Sequence, residues 1–333
     1  MTGRFIGVDL HKRFCVFTEL DTMGNILRRG KFGNNLEEVA NFASSLSKDV
    51  ELAVEPVLNY LWFLDQVEPY VKAVHPTNPY KTRVIAEAKC KTDKYDSWVM
   101  AELLRINFLP ESYYIPQAIR IIRELIRRRE YLVRLRAGFK SKIRDLAFKE
   151  GVIIKAKDIS SVKAKTEIAR NYLSPSTRQA IAQYQDLISL FGEQIKPLEQ
   201  RIESSCQGIK EIDLLMSIKG IGRLRAVIIY AEIIDINRFA TRKRFASYAG
   251  LIPIFRESGD KHYGGGLTKT GSKPLRTALV ETAIFAVRHY PGLQRLHSRV
   301  RFRSCPQKAR IAVARKLAII IYAMLKKNTP FNG

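Results

Sequence analysis

Strand-like segments near the start of the chain constrain its fold more than any other feature. Residues 4–10, 14–20 and 26–32 are short, mostly apolar runs separated by turn residues. They predict an antiparallel meander of three strands. Residues 50–54 predict a fourth strand and residues 71–74 a fifth, with helical segments between and after them. A meander followed by alternating helices and strands indicates an α/β sandwich.

Four carboxylates lie at positions where this fold can bring them together. Asp9 is near the end of the first strand, and Glu55 directly follows the fourth. Asp93 and Asp96 are three residues apart at the start of a predicted helix, so they share one face of its first turn. An acidic pair at a helix N-terminus also occurs simply because it favours the helix dipole. The two upstream acids favour a shared site instead.

Such a cluster predicts a metal site. Four carboxylates at close range cannot all stay ionised without cations, and oxygen ligands suit Mg²⁺ or Mn²⁺. Enzymes commonly use two such ions to catalyse in-line attack at a phosphodiester. We expect His11, two residues after Asp9, to be exposed or to lie behind the ligands rather than among them.

The charge is unevenly distributed along the 333 residues. Residues 1–110 contain 14 basic and 14 acidic residues, whereas residues 111–333 contain 43 basic and 18 acidic residues and carry the whole formal charge of +25. This segregation predicts chemistry in a neutral first domain and polyanion binding in the remainder.

Two long helical segments follow the first domain. Residues 117–150 have an apolar stripe and a basic face, with too few acids on that face to pair its cations in salt bridges. We therefore expect Arg123, Arg127 and Arg128 to contact nucleic acid. A second helical segment covers about 177–207. The pair predicts either an antiparallel hairpin or a dimerising coiled coil, and the residues between them stay unassigned.

Residues 214–233 have a helix, a Gly-Ile-Gly turn and a second helix, as in a helix-hairpin-helix motif. Its glycines would let backbone N–H groups approach a phosphate. A plain turn between two helices is the alternative. The residues predicted to bind nucleic acid here are Lys219, Gly220, Gly222, Arg223 and Arg225.

Residues 250–266 predict a glycine-rich polar loop in which Ser258 precedes a glycine that leaves its hydroxyl sterically open. A Ser-Gly pair is common in loops, so it is weak evidence for a nucleophile when taken alone. Lys261, Lys269 and Arg276 lie nearby in the sequence and could hold a phosphate.

The four cysteines are far apart and lack metal-ligand spacing, which predicts a reducing, cytoplasmic setting rather than a disulfide framework. The N-terminus has no signal-peptide pattern. The longest apolar run, residues 317–325, is too short to span a bilayer, so no membrane association is expected.

Several short motifs together resemble one family, the RuvC-like DEDD transposases of insertion-sequence family 110, which are bridge-RNA-guided recombinases related to site-specific DNA invertases. The N-terminal motifs are Ile-Gly-Val-Asp9, Val-Glu55 and Lys91-Thr-Asp93-Lys-Tyr-Asp96. The C-terminal motifs are Ile218-Lys-Gly-Ile-Gly222, Tyr248-Ala-Gly-Leu-Ile-Pro253, Ser258-Gly with Leu267-Thr-Lys-Thr-Gly271 and Leu275-Arg, and Ala312-Val-Ala-Arg-Lys-Leu317.

The resemblance implies a set of roles. Asp9, Glu55, Asp93 and Asp96 would hold Mg²⁺ in an RNase H-like domain, and Ser258 would form a transient phosphoserine link to DNA. A structured guide RNA would recognise donor and target double-stranded DNA. A homo-oligomer, dimer or tetramer, would join the tetrad of one subunit to the serine of another. The setting would be the bacterial or archaeal nucleoid.

The implied organisation has three parts: a RuvC-like metal-binding domain at 1–110, a basic helical or coiled-coil segment at 111–210 and a mostly α-helical serine transposase domain at 211–333. Three other functions remain open. They are a site-specific DNA invertase, a metal-dependent nuclease of the RuvC or resolvase type that uses water as nucleophile, and a non-catalytic DNA- or RNA-binding module. Ser272 and Ser247 are the next candidates if Ser258 is not the nucleophile.

Overall fold

The structure is a computed structural model that describes residues 3–85, 92–258, 261–268 and 270–331, without the side chains of residues 83, 84 and 255–265. The chain divides into two compact units, Met1–Ile115 and Pro116–Gly333. The long helices predicted as a separate middle segment belong to the same compact unit as the C-terminal helices.

The first unit is built on a five-stranded sheet with the strand order β3-β2-β1-β4-β5. Strands β1 to β3 form the predicted antiparallel meander, and β4 and β5 run parallel to β1. The strands are β1 (Arg4–Leu10), β2 (Phe14–Leu20), β3 (Ile26–Gly33), β4 (Val50–Val54) and β5 (Ala73–Pro76). The helices are α1 (Leu36–Ser44), α2 (Tyr60–Val67), α3 (Pro79–Ile85) and α4 (Asp93–Arg105).

Helices cover both faces of this sheet, as the alternation of side chains along a strand requires. Leu52 and Val54 of β4 face the main core, where they join Val39 and Phe42 of α1 and Phe63 of α2. The intervening Ala53 belongs to a second cluster with Met100 and Leu104 of α4. A mixed sheet in this order, covered on both sides, fits an RNase H-like fold.

The second unit begins with a pair of long antiparallel helices, α5 (Gln117–Lys149) and α7 (Pro175–Ser204). Arg129 near the start of α5 pairs with Glu199 near the end of α7 at 2.7 Å, and Phe139 stacks on Phe191. Within this chain the two helices therefore form the hairpin that was one of the two predicted arrangements. The short helix α6 (Val162–Arg170) lies in the segment that sequence patterns left unassigned.

Helices also dominate the rest of the second unit: α8 (Lys210–Met216), α9 (Arg223–Ile233), α10 (Arg242–Tyr248), α11 (Lys273–His289), α12 (Pro291–Arg303) and α13 (Pro306–Lys327). The predicted loop at 250–266 is wrong, because β6 (Pro253–Ser258) and β7 (Lys261–Leu267) pair as an antiparallel hairpin there. Strand pairing has overridden the low strand propensity of its glycines. Within the described residues, no helix is long and apolar enough to cross a bilayer.

Candidate metal centre and the C-terminal network

The register of the sheet brings Asp9 and Glu55 to the same edge. Val8 of β1 pairs with Val54 of the parallel strand β4. Asp9 and Glu55 each come one residue later, so they occupy matching positions on neighbouring strands. The prediction that the first and fourth strands are adjacent is confirmed.

Helix α4 carries the other two predicted acids. Its N-cap residue Thr92 accepts a hydrogen bond from the Tyr95 N–H through its side chain, which fixes the start of the helix just before Asp93. Asp93 and Asp96 both lie in the first turn. We call Asp9, Glu55, Asp93 and Asp96 the acidic edge.

A glycine lets α4 approach the sheet closely enough to form this edge. A Cβ atom at Gly7 would lie 2.0 Å from the Ser97 carbonyl oxygen and 2.5 Å from the Ala101 backbone nitrogen. The buried hydroxyls of Ser97 and Thr18 are hydrogen-bonded at 2.9 Å and tie the helix to β2. The sequence reasoning missed all three residues. The available signal was a glycine within a buried strand, which often marks close backbone approach.

The electrostatics of the acidic edge are those of carboxylates held near one another. Asp9 is only 7% exposed, and burial raises the pKa of its carboxyl group. His11 lowers that pKa, whereas the negative charges of Asp93, Asp96 and Glu55 raise it further. Each of the other three acids therefore acts on Asp9, and their mutual repulsion would be relieved by a bound cation.

His11 lies beside these acids and is partly exposed. Its Nε2 atom is 3.1 Å from Oδ2 of Asp9 and 3.4 Å from Oδ1 of Asp93. One ligand atom from each of Asp9, His11 and Asp93 can be chosen so that all three lie within 4.8 Å of one another, a spacing suitable for a metal ion. The carboxylate oxygens are donors that Mg²⁺ and Mn²⁺ accept, so the residues present fit the predicted ion.

The C-terminal unit contains a different arrangement of charge around Glu232, which is 4% exposed. Arg123 approaches its carboxylate at 3.5 Å, and the hydroxyl of Ser272 donates a hydrogen bond to it at 2.9 Å. The guanidinium of Arg123 also donates to the backbone oxygen of Ala231 at 2.8 Å. We call Arg123, Glu232 and Ser272 the Glu232 network.

This arrangement corrects the prediction that Arg123 contacts nucleic acid. Its side chain is buried and pairs with Glu232, so its guanidinium does not face a phosphate backbone. The burial of such a residue is difficult to read from sequence, because Arg123 lies on the same helix as the exposed Arg127 and Arg128.

The Gly-Ile-Gly turn connects α8 to α9 in a backbone conformation that favours glycine. Gly220 has a φ of +103°, and a Cβ atom there would lie 2.7 Å from Cβ of Phe285, so glycine is required for the backbone itself. Arg225 donates to the Gly220 carbonyl at 2.6 Å and pairs with Glu281 at 3.1 Å. Lys219 is exposed, and its backbone N–H is bound to the Tyr290 hydroxyl.

The two remaining residues of the turn lie at the start of the second helix. Gly222 is the N-cap of α9 and makes no side-chain capping bond, while Arg223 is the first helical residue and is partly exposed. Because the first N–H groups of a helix have no partner within it, they can donate hydrogen bonds to an anion there.

The predicted nucleophile lies at the turn of the β6–β7 hairpin. Ser258 is the last residue of β6, and its register partner is Lys261, the first residue of β7. The side chains of both residues, and the whole of Lys269, lie outside the described part of the chain. Arg276 is half-buried, and its guanidinium lies 3.4 Å from the carbonyl oxygen of Ala249.

Family models match both units of the chain. Residues 6–147 match a DEDD-type transposase model of the IS110 group, and residues 212–298 match a model described as the transposase IS116/IS110/IS902 family. The first match includes the whole acidic edge. The second includes the Gly-Ile-Gly turn, Ser258 and Ser272.

Individual relatives are distant in sequence. The chain is 25% identical over 250 residues to a probable family 20 transposase of Pseudomonas aeruginosa, covering 72% of this chain and 74% of that protein. It is 31% identical over 173 residues to the pilin gene-inverting protein of Moraxella bovis, covering 51% of this chain and 53% of the relative. For the transposase of insertion sequence element IS1111A from Coxiella burnetii, the identity is 25% over 221 residues, covering 63% of this chain and 60% of the relative.

Proposed function

Because the chain belongs to the IS116/IS110/IS902 family of transposases, we propose that it cleaves and rejoins DNA as the recombinase of an insertion sequence. In this proposal the acidic edge binds Mg²⁺ or Mn²⁺ and Ser258 is the nucleophile. The observation that carries it is the grouping of Asp9, His11 and Asp93 at a spacing suitable for a metal ion, and the effect of Asp93, Asp96 and Glu55 in raising the pKa of Asp9 supports it.

The four acids have different tasks in this site. Asp9 is buried on β1, so it would fix the position of the ion, while the more exposed acids would complete its coordination. When bound, the ion supplies positive charge to the phosphate oxygens and to the departing oxygen. The carboxylates would keep that charge at one edge of the sheet, within reach of a DNA strand.

Ser258 would attack a DNA phosphorus atom through its Oγ atom. The new bond is Oγ–P, the bond that breaks is P–O3′, and the departing 3′ oxygen gains a proton while the serine hydroxyl loses one. Attack by a 3′ hydroxyl on the phosphoserine reverses these changes and joins a new pair of strands. No phosphate ester bond is hydrolysed in either step, so strand exchange needs no nucleoside triphosphate.

The Glu232 network favours Ser258 over one alternative nucleophile. Ser272 is 9% exposed, caps α11 by accepting from the Leu275 N–H, and donates its own proton to Glu232. The Ser272 hydroxyl therefore already donates one hydrogen bond and accepts another within the protein. Ser247 is the second-last residue of α10.

The partners in this proposal are double-stranded donor and target DNA, a structured guide RNA and further copies of the chain, dimer or tetramer, at the nucleoid of a bacterial or archaeal cell. The basic surplus of the second unit supports polyanion binding. The exposed Arg127 and Arg128 on α5 and the turn before α9 are the proposed contacts. Lys261, Lys269 and Arg276 are proposed to hold a phosphate.

A covalent-adduct assay tests the nucleophile. We would sequence the nucleic acid that co-purifies with the protein, rebuild the corresponding DNA and RNA, and look for protein–DNA adducts on denaturing gels with Mg²⁺. Ser258→Ala should abolish the adduct. Ser247→Ala is the matched control and should retain it.

The outcomes separate the proposed recombinase from its alternatives. Adducts that persist in Ser258→Ala contradict the assignment of this serine. Cleavage without any adduct would indicate a nuclease that uses water, and activity that survives Asp9→Asn would remove the acidic edge from catalysis. The similarity to the pilin gene-inverting protein favours one second function, DNA inversion by the same chemistry, which the products on a substrate with two inverted sites would reveal.

Binding to DNA offers a separate measurement. If the second unit neutralises Z phosphates, log K should fall with log salt at a slope of about −0.9Z on duplex DNA. Replacing Arg127 or Arg128 by Gln should reduce the magnitude of this slope by about 0.9 each if each contacts one phosphate. An unchanged slope would remove that arginine from the interface.

A further inference from the structure

His11 is held beside the acidic edge by its own loop. Its backbone N–H donates to the Phe14 carbonyl at 2.9 Å, and its carbonyl accepts from the Asn34 side chain at 2.6 Å. The imidazole packs against the Phe14 ring with centroids 4.6 Å apart. The ring is therefore positioned by the turn between β1 and β2.

One ring nitrogen of His11 is shared by two carboxylates from different elements. Nε2 lies 3.1 Å from Oδ2 of Asp9 on β1 and 3.4 Å from Oδ1 of Asp93 on α4. An N–H group at this atom has one hydrogen, so at most one of the two contacts can be a straight hydrogen bond. A cation could replace that single hydrogen and contact the nitrogen and both oxygens, because such ligands sit about 2.0–2.6 Å from a divalent ion.

From this geometry we propose that His11 is a nitrogen ligand of the metal centre and biases it toward Mn²⁺ over Mg²⁺. Mg²⁺ strongly prefers oxygen donors, whereas first-row transition ions bind imidazole more readily. The inference rests on the proposed metal-binding function of the acidic edge. It adds to that function a fifth residue, outside the four acids, that selects the ion.

Electron spin-echo spectroscopy of Mn²⁺ bound to the full-length protein tests this directly, because a coordinated imidazole nitrogen gives a ¹⁴N coupling. The wild-type protein should show that coupling and His11→Asn should lose it. In titration calorimetry, His11→Asn should weaken Mn²⁺ binding by at least about 10-fold, the smaller cost of losing an outer-shell partner, and Mg²⁺ binding by much less. His289→Asn, on the second unit, is the matched control and should change neither.

Other results would overturn the proposal. Mn²⁺ that binds without a ¹⁴N coupling, or with a coupling that survives in His11→Asn, excludes His11 as a ligand while leaving the acidic edge intact. An equal loss of affinity for the two ions indicates that His11 only orients Asp9. If neither ion binds the wild-type protein, or if Asp9→Asn binds them unchanged, the metal site itself fails, and with it this part of the proposed function.

Discussion

The acidic edge and the Glu232 network are two ways of handling buried negative charge. At the acidic edge, burial and three neighbouring carboxylates raise the pKa of Asp9, whereas His11 lowers it. In the network, one carboxylate is paired with Arg123 and accepts a hydrogen bond from Ser272. The first arrangement has charge left for a ligand, whereas the Glu232 carboxylate has both a charged partner and a hydrogen-bond donor within the protein.

The comparison teaches which cluster to examine for function. When burial and like charges raise the pKa of a carboxyl group, the fold disfavours its ionised form. Groups with perturbed pKa values of this kind concentrate at functional sites. A carboxylate that is paired within the protein needs no bound ligand to compensate its charge. Each cluster therefore predicts a different response to removal of one member.

The two units can be followed separately. Both tryptophans, Trp62 and Trp98, lie in the first unit, so tryptophan fluorescence reports on that unit alone.

Breaking the Glu232 network should have the largest effect on stability. Arg123→Gln leaves Glu232 without its charged partner, and loss of one member of a buried ion pair typically costs about 3–5 kcal/mol. Urea unfolding followed by circular dichroism should show an earlier transition of the second unit, with the tryptophan transition unchanged. Arg127→Gln, on the exposed face of the same helix, should stay within about 0.5 kcal/mol of wild type. Equal stability of the two variants would contradict a structural role for the network.

Adding a metal should have the next largest effect, and only on the first unit. An ion that binds the folded state alone stabilises it by about 2.7 kcal/mol at a concentration 100 times its Kd. Tryptophan fluorescence should therefore show a later transition with Mg²⁺ than with NaCl of equal ionic strength. The shift should vanish in Asp93→Asn. A shift of equal size in the second unit would point to general salt effects instead.

The sequence predicted much of the first unit because local pattern and tertiary structure agree there. Residues 4–10, 14–20 and 50–54 are strands with the predicted bounds, since each is an apolar run ended by turn residues or proline. Strand ends then placed Asp9 and Glu55 together. Helix α4 begins at Asp93 as expected, because Thr92 is a good N-cap.

The parts that sequence could not supply depend on contacts between distant residues. The place of Arg123 was decided by Glu232, more than 100 residues away, and the same basic helix also has exposed arginines. The hairpin at 253–267 forms although its glycines favour a loop. The closeness of His11 to Asp93 required the docking of α4 on β1, which depends on Gly7.

That docking gives a third prediction. Gly7→Ala would force a methyl group against backbone atoms of α4 and should destabilise the first unit by about 1–3 kcal/mol, as overpacking does. It should also weaken metal binding, because Asp93 and Asp96 move with the helix. In Gly138→Ala, nothing lies within 4 Å of the new atom, so this variant should instead stabilise helix α5 by about 0.5–1 kcal/mol. Unchanged metal affinity in Gly7→Ala would separate the docking of α4 from the metal site.

The smallest effect has the opposite sign. The folded-state pKa of Asp9 is raised above its ordinary value of 3.8, so its protonated form favours folding below that value, and this stability is lost as pH rises through the folded pKa. At pH 7 without metal, Asp9→Asn should thus stabilise the first unit, by about 0.5–2 kcal/mol, the range of similar repairs. The variant should also lose the stabilisation by Mg²⁺ and flatten the dependence of the tryptophan transition on pH. A destabilised variant would mean that partners within the protein already compensate the charge of Asp9, as they do for Glu232. The contrast between the two clusters would then disappear.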